Sequence, residues 1–115
     1  MNLETHITFD DVLLVPQYSD IKSRTEVTLA SEMSEGVELR VPIISAPMDT
    51  VCGRLMAERM AEFGALGIVH RYNTIEKQAN IVSQASEAGA RNIGAAIGIT
   101  GDYLERAAAL VESGV

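Results

Sequence analysis

The stretch that decides the fold runs from Leu66 to Gly114, LGIVHRYNTIEKQANIVSQASEAGARNIGAAIGITGDYLERAAALVESG. It opens on a short apolar run, Leu66-Gly67-Ile68-Val69, and returns to another, Ile93-Gly94-Ala95-Ala96-Ile97. After each run, apolar residues fall at helical spacing: Ile75, Ala79 and Val82, then Leu104, Ala107/Ala108 and Val111. Asn73 with Glu76, and Asp102 with Glu105, put oxygens and acids where the free N–H groups of a helix start need them. Each helical segment closes at a glycine, Gly89 and Gly114, the residue best able to take the left-handed backbone that ends a helix.

The same unit precedes this stretch. Val41-Pro42-Ile43-Ile44-Ser45-Ala46 reads as a buried strand halted around Pro47, and Met56, Met60 and Phe63 keep helical spacing up to Gly64. The closing glycines Gly64, Gly89 and Gly114 are spaced 25 residues apart. A strand–helix unit at constant spacing predicts a parallel α/β fold. Eight such units need about 200 residues, near the lower end for a (β/α)8 barrel. The expectation is a partial (β/α)8 TIM barrel. Residues 41–115 supply its first three βα units, and the chain stops where a fourth strand should begin. Residues 1–40 form an N-terminal arm with short strands; its apolar run, Val12-Leu13-Leu14-Val15, stops at Pro16. A doubly wound sheet starts in the same way. The turn Pro47-Met48-Asp49-Thr50, however, lacks the glycine pattern of a dinucleotide fold.

Composition narrows the function classes. With 47% hydrophobic and 22% charged residues the chain is globular rather than disordered. Nine Lys+Arg against sixteen Asp+Glu give a net charge of -7, which argues against nucleic acid as a partner. A single cysteine, Cys52, excludes an intrachain disulfide and a cysteine-based zinc site, and no metal site is expected. This cysteine usage points to a reducing compartment. No run of 18 apolar residues exists, and Met1–Ile7 lacks the apolar core of a signal peptide, so no membrane partner is expected.

In either parallel architecture ligands meet the loops beyond the C-terminal ends of the strands. Three loops qualify: Ala46–Thr50, His70–Asn73 and Gly98–Gly101. Met48 offers adaptable apolar surface to a planar ring, and Asp49 an acceptor. The plainer account, which the residues alone favour, has Met48 filling the barrel mouth and Asp49 capping the next helix. Arg71 is suited to phosphate and His70 to stacking or hydrogen bonding. The alternative is a strand-end histidine bonded to backbone beside a solvated arginine. Ile97-Gly98-Ile99-Thr100-Gly101 permits close backbone approach at a helix start. Lys22-Ser23-Arg24 is a compact basic spot, either a phosphate site or a solvated patch. Cys52 reads as a small buried hydrophobe, since no histidine adjoins it in sequence. No Ser/His/Asp set, catalytic carboxylate pair or phosphate-binding P-loop is visible, so the residues fix the ligand side but not the ligand.

Four ordered motifs identify a relationship. Phe9-Asp10-Asp11-Val12-Leu13-Leu14-Val15-Pro16, Val41-Pro42-Ile43-Ile44-Ser45-Ala46-Pro47-Met48-Asp49-Thr50-Val51, Gly67-Ile68-Val69-His70 and Gly94-Ala95-Ala96-Ile97-Gly98 closely resemble the IMP dehydrogenase/GMP reductase family, over about Thr8 to Val115. The resemblance implies a cytoplasmic (β/α)8 barrel that assembles, at full length, as a homo-oligomer, usually a tetramer. It implies a purine-nucleotide oxidoreductase: dehydrogenases take IMP to XMP with NAD, and reductases take GMP to IMP with NADPH, releasing ammonia. Both work through a bond from a catalytic cysteine to purine C2, which divides a hard substitution into easier steps.

Carried over residue by residue, Ala46 and Met48 match positions that pack on the purine nucleotide, with Asp49 adjoining. Ile99 and Thr100 match the loop lining the cofactor's adenosine end. Ser23 and Arg24 match a pair that reaches a neighbouring subunit's NADPH in the reductases. Arg71 matches a basic position beside that cofactor, and His70 the family's second-strand histidine. The family's cysteine loop, phosphate-binding glycine loops and catalytic flap have no counterpart here, and Cys52 sits in the wrong motif to inherit the nucleophile's role. The resemblance therefore implies no catalytic residue in this chain, which alone is expected to be inactive. The monovalent-cation site of the dehydrogenases also lies outside this segment. Ile81–Ala90 runs straight into the third strand, with no room for the regulatory CBS pair that dehydrogenases usually insert. Subtype signals are mixed. Ser45-Ala46-Pro47-Met48-Asp49 follows the dehydrogenases, whereas Lys22-Ser23-Arg24-Thr25-Glu26-Val27 and His70-Arg71-Tyr72 follow the reductases. The balance falls to the dehydrogenase, because that strand meets the substrate. A reading of another class is a non-catalytic barrel fragment that pairs its open sheet edges with a complementary chain.

Overall fold

The computed structural model describes residues 5–115. The signal-peptide reading of Met1–Ile7 falls partly on residues 1–4, which lie outside them. The elements are a hairpin of β1 (Ser31–Ser34) and β2 (Val37–Leu39), then α1 (Arg54–Glu62), β3 (Gly67–Val69), α2 (Ile75–Glu87), β4 (Ile93–Ala95) and α3 (Tyr103–Glu112). Two single 3-10 turns, Phe9–Asp11 and Arg24–Glu26, punctuate the arm.

β3 and β4 pair in parallel, Gly67 opposite Ile93 and Val69 opposite Ala95. Ile44 makes a parallel bridge to Leu66. Three parallel backbone segments are thus each followed by a helix. Their sheet and the β1–β2 hairpin are the two small sheets of the described residues, which do not themselves close a barrel. The helices cover one face, and Cys52, Ala57, Val69, Val82, Ala85, Ile93 and Leu110 form the core between.

The 25-residue repeat has an atomic basis. Ala65, Ala90 and Val115 donate their N–H groups to the carbonyls of Met60, Ala85 and Leu110, and Gly64, Gly89 and Gly114 donate to Ala61, Ser86 and Val111. These paired bonds are the Schellman closure of a helix, repeated three times. Gly64 and Gly89 stand at φ 73° and 96°, a region a side chain disfavours. Gly67 has a different task. A Cβ there would lie 2.6 Å from the Cα of Ala57, so its bareness lets α1 sit directly on β3.

Several expectations need correction. Val41–Ala46 is not a full strand. Pro42 lacks an N–H, Ile43 N turns back to Val41 O at 2.8 Å, and Val41 N goes to Gly64 O, leaving one bridge. The arm's apolar run Val12–Val15 forms no strand. The pairing in this part is the hairpin around Glu35-Gly36, whose turn glycine has φ 78°. Leu13 and Leu14 lie 96% and 98% exposed. The radius of gyration is accordingly 18.3 Å, against about 13 Å for a compact domain of this length.

The helix faces are also rotated from the expected ones. α1 turns Ala57 inward and leaves Met56 and Phe63 exposed. α3 buries Arg106 and Leu110 while Leu104 and Val111 face out. The apolar run Ala107–Val111 wraps around its helix, so its periodicity does not set the phase; a buried arginine does. The caps shift too. Thr74, not Asn73, caps α2, its hydroxyl accepting from Lys77 N at 3.3 Å. Asp102 stands at the N-cap of α3 without a side-chain cap bond, and its carboxylate takes Arg106 instead. Gly53 precedes α1, so Asp49 does not cap it.

Candidate functional site

The three loops follow the C-terminal ends of the three parallel segments. The first is anchored through Ser45, which is buried. Ser45 N donates to Leu66 O at 3.0 Å, and its hydroxyl accepts from Ile68 N at 3.1 Å. Beyond it Ala46, Met48 and Asp49 are exposed. Val51 and Cys52 both donate to the Met48 carbonyl. Cys52 O then accepts from His70 N at 3.3 Å, tying the first loop to the second. Cys52 itself is shut off from solvent. Burial pushes its thiol above the ordinary value, opposed by a weaker hydrogen bond from Ser45. It is the small buried hydrophobe the sequence suggests, not an activated nucleophile.

In the second loop Tyr72 N donates to His70 Nδ1 at 3.2 Å. A neutral His70 therefore carries its proton on Nε2. The His70 and Tyr72 rings lie near-parallel, 6.4 Å apart. The Arg71 guanidinium is 6.0 Å from the Tyr72 ring centre. It also lies against the third loop, its Nη1 3.0 Å from where a Cβ on Gly98 would be. Gly98 is thus bare where the two loops meet. Ile99 is 90% exposed and Thr100 is exposed. An exposed cation resting on glycine backbone fits an anionic group such as the pyrophosphate of a dinucleotide.

Ser23 and Arg24 stand apart from this cluster. Ser23 Oγ accepts from Thr25 N within the arm, and among the described residues no hydrogen bond or ion pair joins either residue to the three loops. No group of three or more metal-ligating side chains occurs among the described residues. No helix among them is long and apolar enough to cross a membrane.

Beneath the loops lies a network that the sequence reading passes over. Gln78 of α2 is fully buried. Its Nε2 donates to Val69 O at 3.3 Å and to Ala96 O at 2.9 Å. Its Oε1 accepts from Arg106 Nη1 at 2.8 Å. The same Nη1 donates to Asn73 O at 3.3 Å, and Nη2 donates to Asp102 Oδ2 at 2.8 Å. Asn73 Oδ1 is buried and without a hydrogen-bond partner. Two signals were available: Asp102 and Arg106 at ion-pair spacing, and Gln78 in register with Val82 and Ala85 on one stripe.

Comparison with known proteins gives this arrangement its family. Residues 6–115 match the model of the IMP dehydrogenase / GMP reductase domain. The chain belongs to that family. It is 46% identical over 89 residues to an inosine-5'-monophosphate dehydrogenase of Nitrosopumilus maritimus, covering 77% of this chain and 19% of that protein. It is 49% identical over 78 residues to an inosine-5'-monophosphate dehydrogenase of Staphylococcus saprophyticus, covering 68% and 16%. It is 42% identical over 82 residues to a GMP reductase of Leishmania donovani, covering 71% and 17%. The chain therefore spans less than a fifth of the length of these relatives, which carry both names.

Proposed function

We propose that this chain is the opening part of a (β/α)8-barrel, NAD(P)-dependent purine-nucleotide oxidoreductase, with residues 1–40 as its arm and 41–115 as its first three βα units. The preferred reaction is oxidation of IMP to XMP. The observation that supports this reading is Arg71 lying against Gly98 where the second and third loops meet, beyond strand ends tied together by Ser45, Cys52 and Gln78. Ala46 and Met48 supply an apolar floor for the purine, and Asp49 an acceptor at its edge. His70 presents Nε2–H as a donor, and Arg71 meets the anionic part of the dinucleotide over Gly98. Ile99 and Thr100 line its adenosine end. Ser23 and Arg24 act from the arm of a neighbouring subunit in a tetramer. The dinucleotide, when bound, supplies the hydride chemistry, and the chain's own residues orient it.

The second reading is reduction of GMP with NADPH. Arg71, a cation at the meeting of two loops, favours it, since NADPH carries one more phosphate than NAD. The full-length polypeptide assayed with IMP plus NAD, and separately with GMP plus NADPH, decides between them. Turnover of neither pair overturns both and leaves the non-catalytic fragment that completes itself with another chain.

A further inference from the structure

We propose that Gln78 and Arg106 are positioning residues that set the loop after β3 and the loop after β4 as one unit. The inference rests on the reading above, that these loops take the dinucleotide, and adds what holds them. The network brackets both loops at both ends. Val69 O and Asn73 O flank residues 70–72, which include His70 and Arg71; Ala96 O and Asp102 Oδ2 flank residues 97–101. Gln78 reaches one end of each loop and Arg106 the other, and their mutual bond closes the circuit. A well-packed apolar pair of the same volume fills such a space at little cost to stability, yet leaves the loop ends unfixed. Polar groups at these two buried positions therefore specify geometry. The guanidinium's planar fork suits Arg106 to aim at two loops from one place. A change at Gln78 must reach both loops, although it touches no residue within either.

The test uses the natural full-length polypeptide with Gln78→Met, which keeps the volume and removes the bonds. Amide hydrogen exchange in residues 70–73 and 97–101 rises together by about tenfold, the effect of losing one buried hydrogen bond, while the β1–β2 hairpin is unchanged. In turnover, the KM for NAD or NADPH rises by about tenfold, a change of the same origin, and the KM for IMP or GMP holds within about twofold. Arg106→Lys, which retains one of the reaches, shows the same pattern in weaker form and serves if Gln78→Met does not fold. The proposal is overturned if exchange is unaffected, rises in one loop only, or spreads evenly over helices and hairpin. It is equally overturned if the two KM values move together. Should the unaltered polypeptide turn over neither substrate pair, the functional reading fails and the exchange pattern alone decides the coupling.

Discussion

Arg106, on α3, donates through Nη1 to the Oε1 of Gln78, on α2, at 2.8 Å. Both side chains are buried, and Gln78 is wholly without solvent contact. The bond crosses between two helices whose buried apolar residues, Val82 and Ala85 on one and Leu110 on the other, belong to the same core. Its neighbours are backbone carbonyls at strand and loop ends, so it links helix packing to loop position.

Removing both partners should cost less than the two single losses added together. Gln78→Leu leaves the guanidinium one acceptor short and Ala96 O without its side-chain donor. A loss of about 2 kcal/mol in unfolding free energy is expected. Arg106→Leu should cost a similar amount, since it strips the same bond from the other side. The double variant is expected to lose less than the sum of the two, because the Gln78–Arg106 bond is then counted once and neither side chain is left facing a missing partner, while Ala96 O and Asn73 O lose their donors either way. Urea titrations of the four proteins measure this coupling, and simple additivity would contradict the account.

Gly67→Ala and Gly94→Ala look alike in sequence and should differ in effect. At Gly67 the new methyl meets the backbone of Ala57, 2.6 Å away, and α1 must shift off β3. A cost of about 1–3 kcal/mol is expected for overpacking of this kind. At Gly94 the obstacle is the Cδ1 of Ile68, the free end of a side chain that can rotate away. Its variant should retain a midpoint of thermal unfolding clearly above that of Gly67→Ala. The reverse order would mean that the α1–β3 contact is looser than described.

Cys52 should behave as a protected thiol. Burial raises its ionisation above the ordinary 9.0, so the native protein holds its proton where the unfolded chain gives it up. The native state then binds more protons than the unfolded state as pH climbs through that value. Its stabilising share is complete below that value and is lost as pH rises toward the native one. Alkylation by iodoacetamide at pH 8 is expected to be slow in the folded protein and fast in urea. Cys52→Ala should flatten the decline of stability in alkaline solution. Equal labelling rates in the two states would show that the thiol is reachable.

Much of this was legible in the sequence, and the reasons for the remainder are local. The closing glycines could be read because a left-handed residue at a helix end is a backbone requirement independent of tertiary context. The cores of β3 and β4 could be read because short apolar runs leave little choice of partner. The inward faces of α1 and α3 could not. Ala57 is buried because Gly67 lets the helix approach, a relation between residues ten apart that no helical period encodes. Arg106 is buried because Gln78, Asn73 and Asp102 satisfy it, and a charged residue in sequence reads as surface. Of the candidate site residues, those in the second and third loops meet in the fold at Arg71 and Gly98. Ser23 and Arg24 stay on the arm, since what the arm packs against is not encoded in its own composition.

Gly98→Ala tests the meeting of Arg71 with the third loop. The added methyl falls 3.0 Å from Arg71 Nη1, the end of a long flexible side chain, so the guanidinium is displaced while the strands beneath keep their bonds. Stability should change little. If Arg71 binds the anionic part of the dinucleotide over this glycine, the KM for NAD or NADPH rises by about tenfold, as expected for losing a charge-assisted contact. If Ala46 and Met48 hold the purine nucleotide, its KM stays put, because both are untouched. Arg71→Ala should reproduce the effect without the methyl, and combining the two substitutions should add nothing further, since the same contact is lost in each. Additive losses would mean that Gly98 serves the ligand directly, through its own close backbone approach. An unchanged dinucleotide KM in both single variants would remove Arg71 from the site.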